Sequence, residues 1–192
     1  MTPDQLVRKY SNVIRDMSGS VNGEIMAKVG VSALTFIRER VIGKGEDAKG
    51  SKYKGYSTKA LLVGGSSFIQ KSSADSFFSN ENTKWVTIDK TKHLGVLPGG
   101  YKQLREMNGR QTDHVDFSMS GRMWADINVI STSGDHNKGI AIIGAKTEEG
   151  NDKLAGNTAK RGDILDLSKT EIADIALTYN LDTIKIFKKN GL

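Results

Sequence analysis

The sequence predicts an α+β fold: a small antiparallel sheet packed by two N-terminal helices and a C-terminal helix, with long Gly/Ser/Lys-rich loops. Three observations predict it. Capped apolar stripes of helical period stand at both ends of the chain. Short β-rich or alternating stretches lie between them, from Lys84 to Ala145. Tracts rich in glycine, lysine and serine interrupt the pattern at residues 43–59 and 64–83. The length, 192 residues, suits a single domain over 1–192 that carries a flexible loop at 43–59 and an insertion at 64–83.

The first helix is signalled by Thr2 as its cap, Pro3 at the first helical position and Gln5 completing a capping box. Leu6, Val7, Tyr10, Val13, Ile14 and Met17 fall on one face, and Ser18, Gly19 and Ser20 stop it. A second helix is expected from Val21 to Ile42, with Ile25, Met26, Val29, Ala33, Phe36, Ile37 and Val41 as its stripe and Gly43 as its end. Both stripes need a partner, and a sheet further on is the expected one. The tract GKGEDAKGSKYKG from Gly43 then reads as a loop with Tyr53 as its large apolar anchor. Leu61 to Val63 predicts a short strand, and SSFIQKSSADSFFSNENT reads as serine-rich loop.

Lys84 to Ile88 is β-rich, and Leu97 to Tyr101 is a turn opening a short helix, YKQLREMN. His114 to Met119 and Met123 to Ile130 both alternate and predict strands; Lys138 to Ala145 predicts another, joined by the polar hairpin loop STSGDHN. The stretch NDKLAGNTAKRG is helix or loop. Ser168 and Glu171 form a capping box for the last helix, which carries Ile172, Ile175, Ala176 and Tyr179 on one face. After Asn180 the pattern shifts, consistent with a bent continuation or a closing strand through Ile184, Phe187 and Lys189.

Composition narrows the function classes. The chain has no cysteine, which excludes disulfide scaffolds, zinc–thiolate sites and thiol nucleophiles. Its first residues, MTPDQLVRKYSN, lack the apolar core of a signal peptide, and no run reaches membrane-spanning length. Formal charge is +6, a moderate excess that permits contact with nucleic acid or an acidic protein surface without demanding either.

Candidate chemistry is thin. GEDAKGSK at Gly45–Lys52 resembles a phosphate loop, yet Ser51 precedes Lys52 and the segment follows a helix, so no helix N-terminus faces the phosphates. Asp113, His114 and Asp116 suggest a metal cluster with no distant partner, which keeps a metal-dependent hydrolase as a weak alternative. Asp135 and His136 suit a turn; Asp163 and Asp166 suit a helix entry. Ser118 and Ser120 lie in no nucleophile elbow, and His93, His114 and His136 occupy separate polar contexts. No catalytic residue and no cofactor is assigned. Basic segments carry more weight: Lys44, Lys49, Lys52, Lys54 and Lys59 interleave with Tyr53 and Tyr56, and Lys185, Lys188 and Lys189 cluster near the end. Such mixtures support the alternative of a basic nucleic-acid-binding module.

Three blocks, in order, resemble the tail-completion or neck family of tailed-bacteriophage morphogenesis proteins. The first is FIRERVIGKGEDAKGSKYKGYSTKAL, similar to that family's helix, "G-x-D-x-x-G-x-x-aromatic" loop and Ser/Thr-Lys segment. The second, YKQLREMNGRQTDHVDFSMSGRMWADINVI, is similar to the approach to a "Thr-Gly-Arg-Leu/Met" turn and strand, with Ser120 where threonine is commoner. The third, KLAGNTAKRGDILDLSKTEIADI, is similar to a helix, basic loop and closing helix, with Gly162 and Asp163 in place of Arg-Pro.

The resemblance implies helices on an antiparallel sheet, no enzymatic activity and no cofactor. It implies a homo-oligomeric ring between the portal or connector and the tail proteins of a virion, made in the bacterial cytoplasm, with non-specific contact to genomic DNA in the lumen and none to a membrane. Segments poor in core-forming residues are the expected subunit or partner contacts: Lys49, Lys52, Tyr53, Lys54 and Tyr56 in the first loop, and Phe68, Phe77 and Phe78 in the insertion.

Overall fold

In the computed structural model, residues 2–17, 19–79, 84–89, 92–135 and 138–192 are described. Helix α1 (Pro3–Asp16) starts at Thr2, whose hydroxyl accepts from the Gln5 N–H while the Gln5 side chain accepts from the Thr2 N–H. Helix α2 (Gly19–Arg38) continues as a wider π-helical turn (Glu39–Lys44), closed by Gly45 in the left-handed region at φ 66°. Glycine is required there twice over. A side chain would be strained at that φ, and its Cβ would sit 2.6 Å from the His114 Cβ.

The chain then crosses the lysine loop to β1 (Leu61–Val63), a 3-10 turn (Gly65–Ser67) and α3 (Lys71–Phe78). Strands β2 (Lys84–Asp89) and β3 (Lys92–Leu97) follow, then α4 (Gly100–Met107). An irregular stretch leads to the short helix α5 (Arg122–Asp126), β4 (Ile127–Gly134), β5 (Gly139–Ala145), α6 (Glu148–Arg161) and α7 (Lys169–Lys189). Ser168 and Glu171 cap α7 reciprocally, as their spacing predicts. The fold is α+β, and its strands make two antiparallel sheets rather than one.

The first sheet is the β4–β5 ribbon, paired from Ile127↔Ala145 to Gly134↔Gly139 with an irregularity between Val129 and Ser131. Helix α2 lies across one face of it. Gly30 permits the close approach, since a Cβ there would fall 2.9 Å from Val129 and 3.1 Å from Ala141. Leu34, Ile37 and Val41 pack with Met123, Trp124, Ile127, Ala145 and Ile164 into the larger core. Helix α7 packs on α2, and α1 leans on the end of α7, where the Asn190 side chain donates to Asp16.

The second sheet has strand order β1-β3-β2. Val63, Phe68, Phe77, Leu97 and Leu104 form a separate core against it. Asn108 joins the neighbouring segment: its carboxamide oxygen accepts from the Ile69 N–H at 2.6 Å and the Gln70 N–H at 3.3 Å.

Several expectations change. The serine-rich tract after Gly64 is not loop throughout, because Lys71–Phe78 is helical and Phe77 and Phe78 fold back on Phe68. Residues 80–83, at the end of that predicted insertion, lie outside the described residues, as do Ser18, predicted to help stop the first helix, and residues 136–137 of the hairpin loop.

His114–Met119 is not a strand. Phe117 has φ 53°, and Asp116 turns back on itself, its Oδ1 accepting from the Ser118 N–H at 2.8 Å. The first half of Met123–Ile130 is helical, so Met123 and Trp124 are buried together instead of alternating. Of the two alternatives after Asn180, the helix continues to Lys189 and no closing strand forms there. Helix α1 buries only Val13 of its stripe, because it meets the end of α7 rather than a sheet.

Candidate functional site

Two clefts flank the lysine loop, and the loop itself is pinned between them. Its tip closes as a small antiparallel bridge, Glu46↔Lys52. The Asp47 carboxylate accepts from the N–H groups of Lys49 and Ser51, both at 2.9 Å, which sets the turn. Lys52 Nζ lies 3.1 Å from Glu46 Oε1 and donates to the Lys44 carbonyl at 2.5 Å. Tyr53 is half-buried, its ring edge-on to Phe117 with centroids 4.9 Å apart. Tyr56 exchanges hydrogen bonds with Asp116: its hydroxyl donates to Oδ1 at 2.8 Å and accepts from the Asp116 N–H at 3.0 Å.

The residues expected at contacts thus divide. Lys49, Lys52 and Lys54 are exposed, while Tyr53 and Tyr56 serve as internal anchors. Phe68 and Phe77 are buried and Phe78 is half-buried, all three stacking on one another in the second core. Their exposure was expected because the tract around them is serine-rich. The 3.6-residue spacing of Ala74, Phe77 and Phe78 gives them a shared inward face instead.

The larger cleft, about 910 Å³, lies between the π-helical turn, the loop and the start of α7. Its floor is an ion pair. Arg40 Nε donates to Glu171 Oε1 at 2.8 Å, Nη1 to the Glu46 carbonyl at 2.9 Å and Nη2 to the Asp166 carbonyl at 2.5 Å. Burial pushes the Glu171 carboxyl up, but the bonds from Arg40 and from the Ser168 N–H outweigh burial and hold it below its ordinary value. Charges around this cleft cancel: Arg40, Lys44, Lys49 and Lys169 face Glu39, Glu46, Asp166 and Glu171. The lining therefore carries no net formal charge.

The smaller cleft, about 390 Å³, is walled by Tyr56, Tyr101 and Phe117 on one side and the last two turns of α6 on the other. Behind it lies a buried polar network. Arg105, 1% exposed, donates from Nη2 to Asp116 Oδ2 at 2.9 Å, from Nη1 to the Ser118 carbonyl at 2.8 Å and from Nε to the Gln111 carbonyl at 3.0 Å. Its guanidinium lies 4.3 Å from the centroid of the Tyr56 ring. Gln111 also donates to Asp116, and Trp124 Nε1 donates to the Asp116 carbonyl at 2.8 Å. Burial pushes the Asp116 carboxyl up, yet its donors and the Arg105 charge hold it below the ordinary range. Burial also pushes the Tyr56 phenol well up, so it stays protonated.

Sequence reasoning missed Arg40, Arg105 and Glu171 as buried organisers. A signal was present for two of them: Arg40 shares a helical face with Ile37 and Phe36, and Arg105 stands four residues after Tyr101, at helical spacing. The suggested Asp113–His114–Asp116 cluster is dispersed. His114 Nε2 donates to the Ile42 carbonyl at 2.7 Å, Asp116 is held by Arg105, and Asp113 is exposed. Among the described residues no group of three or more His, Cys, Asp or Glu is arranged to hold a metal ion. Comparisons with protein-family models, with curated proteins and with solved structures found nothing that matches this chain.

Proposed function

We propose that this chain is a structural subunit of a tailed-phage virion, a neck or tail-completion protein whose copies form a ring joining portal or connector to tail. Its work is then done by surfaces, without catalysis or a cofactor. Support comes from the ordered resemblance of three sequence blocks and from apolar surface that the chain leaves uncovered.

The open side of the β4–β5 ribbon carries the reading. Val129 and Ala141 face α2, so alternation turns Ile140 and Ile142 to the opposite face, where Ile130 also stands beside Gly144. These three isoleucines are 42–48% exposed. Strand β5, GIAIIGA, has no charged residue and no proline, and among the described residues it pairs with β4 alone. Free edges of that kind are usually blunted by lysine, proline or cover; left bare, they add a further strand. The stripes Val7–Tyr10–Ile14 of α1 and Leu177–Leu181–Ile184 of α7 are open as well. Large apolar side chains left open at helical or strand spacing on three elements suit surfaces of association. No described helix is long and apolar enough to cross a membrane.

Light scattering on the purified full chain, with electron microscopy of the same sample, tests this. The expected result is a closed multi-subunit ring for the parent and a folded smaller species for Ile140→Lys/Ile142→Lys. A parent chain that stays monomeric at high concentration and never enters a viral particle would overturn it.

A further inference from the structure

The smaller cleft differs from the larger one in charge. Its lining includes Arg105, Lys153, Lys160 and Arg161, and no carboxylate. Two of these cations are already balanced: Arg105 by Asp116 at 2.9 Å, and Lys153 by its ion pair with Glu149. Arg161 gives one N–H to the Lys54 carbonyl, a neutral acceptor that leaves its charge uncompensated. Lys160 has no ion-pair partner among the described residues. Both close α6, where the helix dipole contributes roughly half a negative charge. That offsets a fraction of two unit cations, so the cleft remains positive.

The other walls are aromatic. Tyr56 and Tyr101 lie with centroids 5.6 Å apart, and the Arg161 guanidinium stands 5.8 Å from the Phe117 ring. Phe117 takes a left-handed backbone, φ 53°, which is rare for a bulky residue, and its ring meets the Tyr53 ring edge-on. Strain of this kind is concentrated at binding sites. A simple counter-charge role for Lys160 and Arg161 at the helix end accounts for the cations. It does not account for three rings around a cleft of about 390 Å³, which is within the size range of small-ligand sites.

We propose that this cleft binds a nucleoside phosphate, with the phosphate at Lys160 and Arg161 and the base against Tyr56, Tyr101 and Phe117. Two uncompensated cations match the charge of one phosphate group, and aromatic faces accept any base by stacking. An acidic peptide satisfies the cations but leaves the rings unfilled. The ligand is a free nucleotide or a nucleotide unit of a single strand; the chemistry is shared.

Calorimetric titration of the full chain with dAMP, deoxyadenosine and a short single-stranded oligonucleotide separates these cases. The site predicts saturable binding of dAMP at one per chain, at least tenfold weaker binding of deoxyadenosine, and affinity that falls with salt. Lys160 is exposed, so Lys160→Glu lowers the melting temperature only slightly, through the helix dipole, and weakens binding at least tenfold. Tyr101→Leu weakens dAMP binding as well, separating stacking from charge. Oligonucleotide binding lost in the same variants assigns a single strand; dAMP binding alone assigns a free nucleotide. The proposal is overturned by no saturable binding of either probe, by binding unaffected in Lys160→Glu, or by a glutamate-rich peptide taking the site while dAMP does not. Repeating the titration in Ile140→Lys/Ile142→Lys keeps the result separate from ring assembly.

Discussion

Arg40 and Glu171, 131 residues apart, meet as a buried hydrogen-bonded ion pair at 2.8 Å that ties the end of α2 to the first turn of α7. The same carboxylate caps α7, its other oxygen accepting from the Ser168 N–H at 2.6 Å. One residue therefore starts a helix and anchors it.

Removing one partner is expected to be costly. Arg40→Ala leaves a buried carboxylate without its cation and lowers stability by about 3–5 kcal/mol, whereas replacing both Arg40 and Glu171 by apolar residues of similar volume costs far less. Urea unfolding of the single and double variants measures the difference.

Acid should unfold the protein through these carboxylates. Glu171 and Asp116 both titrate below their ordinary values of 4.5 and 3.8 in the fold. Their depressed pKa contributes stability that is fully present above the unfolded values and is lost as pH falls through the folded ones. Unfolding free energy should therefore be flat near neutrality and decline below about pH 4.5. Glu171→Gln and Asp116→Asn should each flatten that decline, and an unchanged slope in both variants would refute the assignment.

Tyr56→Phe removes a donor to Asp116 Oδ1 and the acceptor for the Asp116 N–H. The ring stays, and with it the contact to Arg105. The loss should be about 1–3 kcal/mol, the penalty for buried polar groups left unpaired. Thermal melts of this variant beside Tyr56→Leu separate the hydroxyl from the ring.

Gly45→Ala combines a left-handed backbone with a clash against His114. A loss of about 1–3 kcal/mol is expected from the backbone alone. His114→Gly removes the clashing Cβ but not the strain at position 45, so a double-variant cycle should show partial coupling rather than full rescue.

In the second core, Phe77→Ala should remove about 3–5 kcal/mol, because its ring packs on both Phe68 and Phe78 under β3. The exposed pair Ile140→Lys/Ile142→Lys should stay within about 0.5 kcal/mol of the parent as a monomer. Loss of assembly in that variant is then a surface effect and not misfolding, which circular dichroism with light scattering decides.

What the sequence determined by itself is local. Thr2–Gln5 and Ser168–Glu171 name the starts of α1 and α7 because capping needs only residues three apart. Leu61–Val63, β2, β5 and α4 were legible from short runs of strand-forming or helix-forming residues, as was the lysine loop that precedes them. Tertiary structure decided the rest. His114–Met119 alternates like a strand, yet Arg105 and Tyr56 claim Asp116 and bend that segment into an irregular turn. Met123 and Trp124 enter the core side by side because the Asp116 carbonyl accepts from the indole N–H. The clefts belong to this second class entirely: the cations of α6 and the rings of Tyr56, Tyr101 and Phe117 meet only after folding. Capping and periodicity are short-range couplings written into neighbouring residues, whereas charge pairing and burial depend on which distant segments share a core.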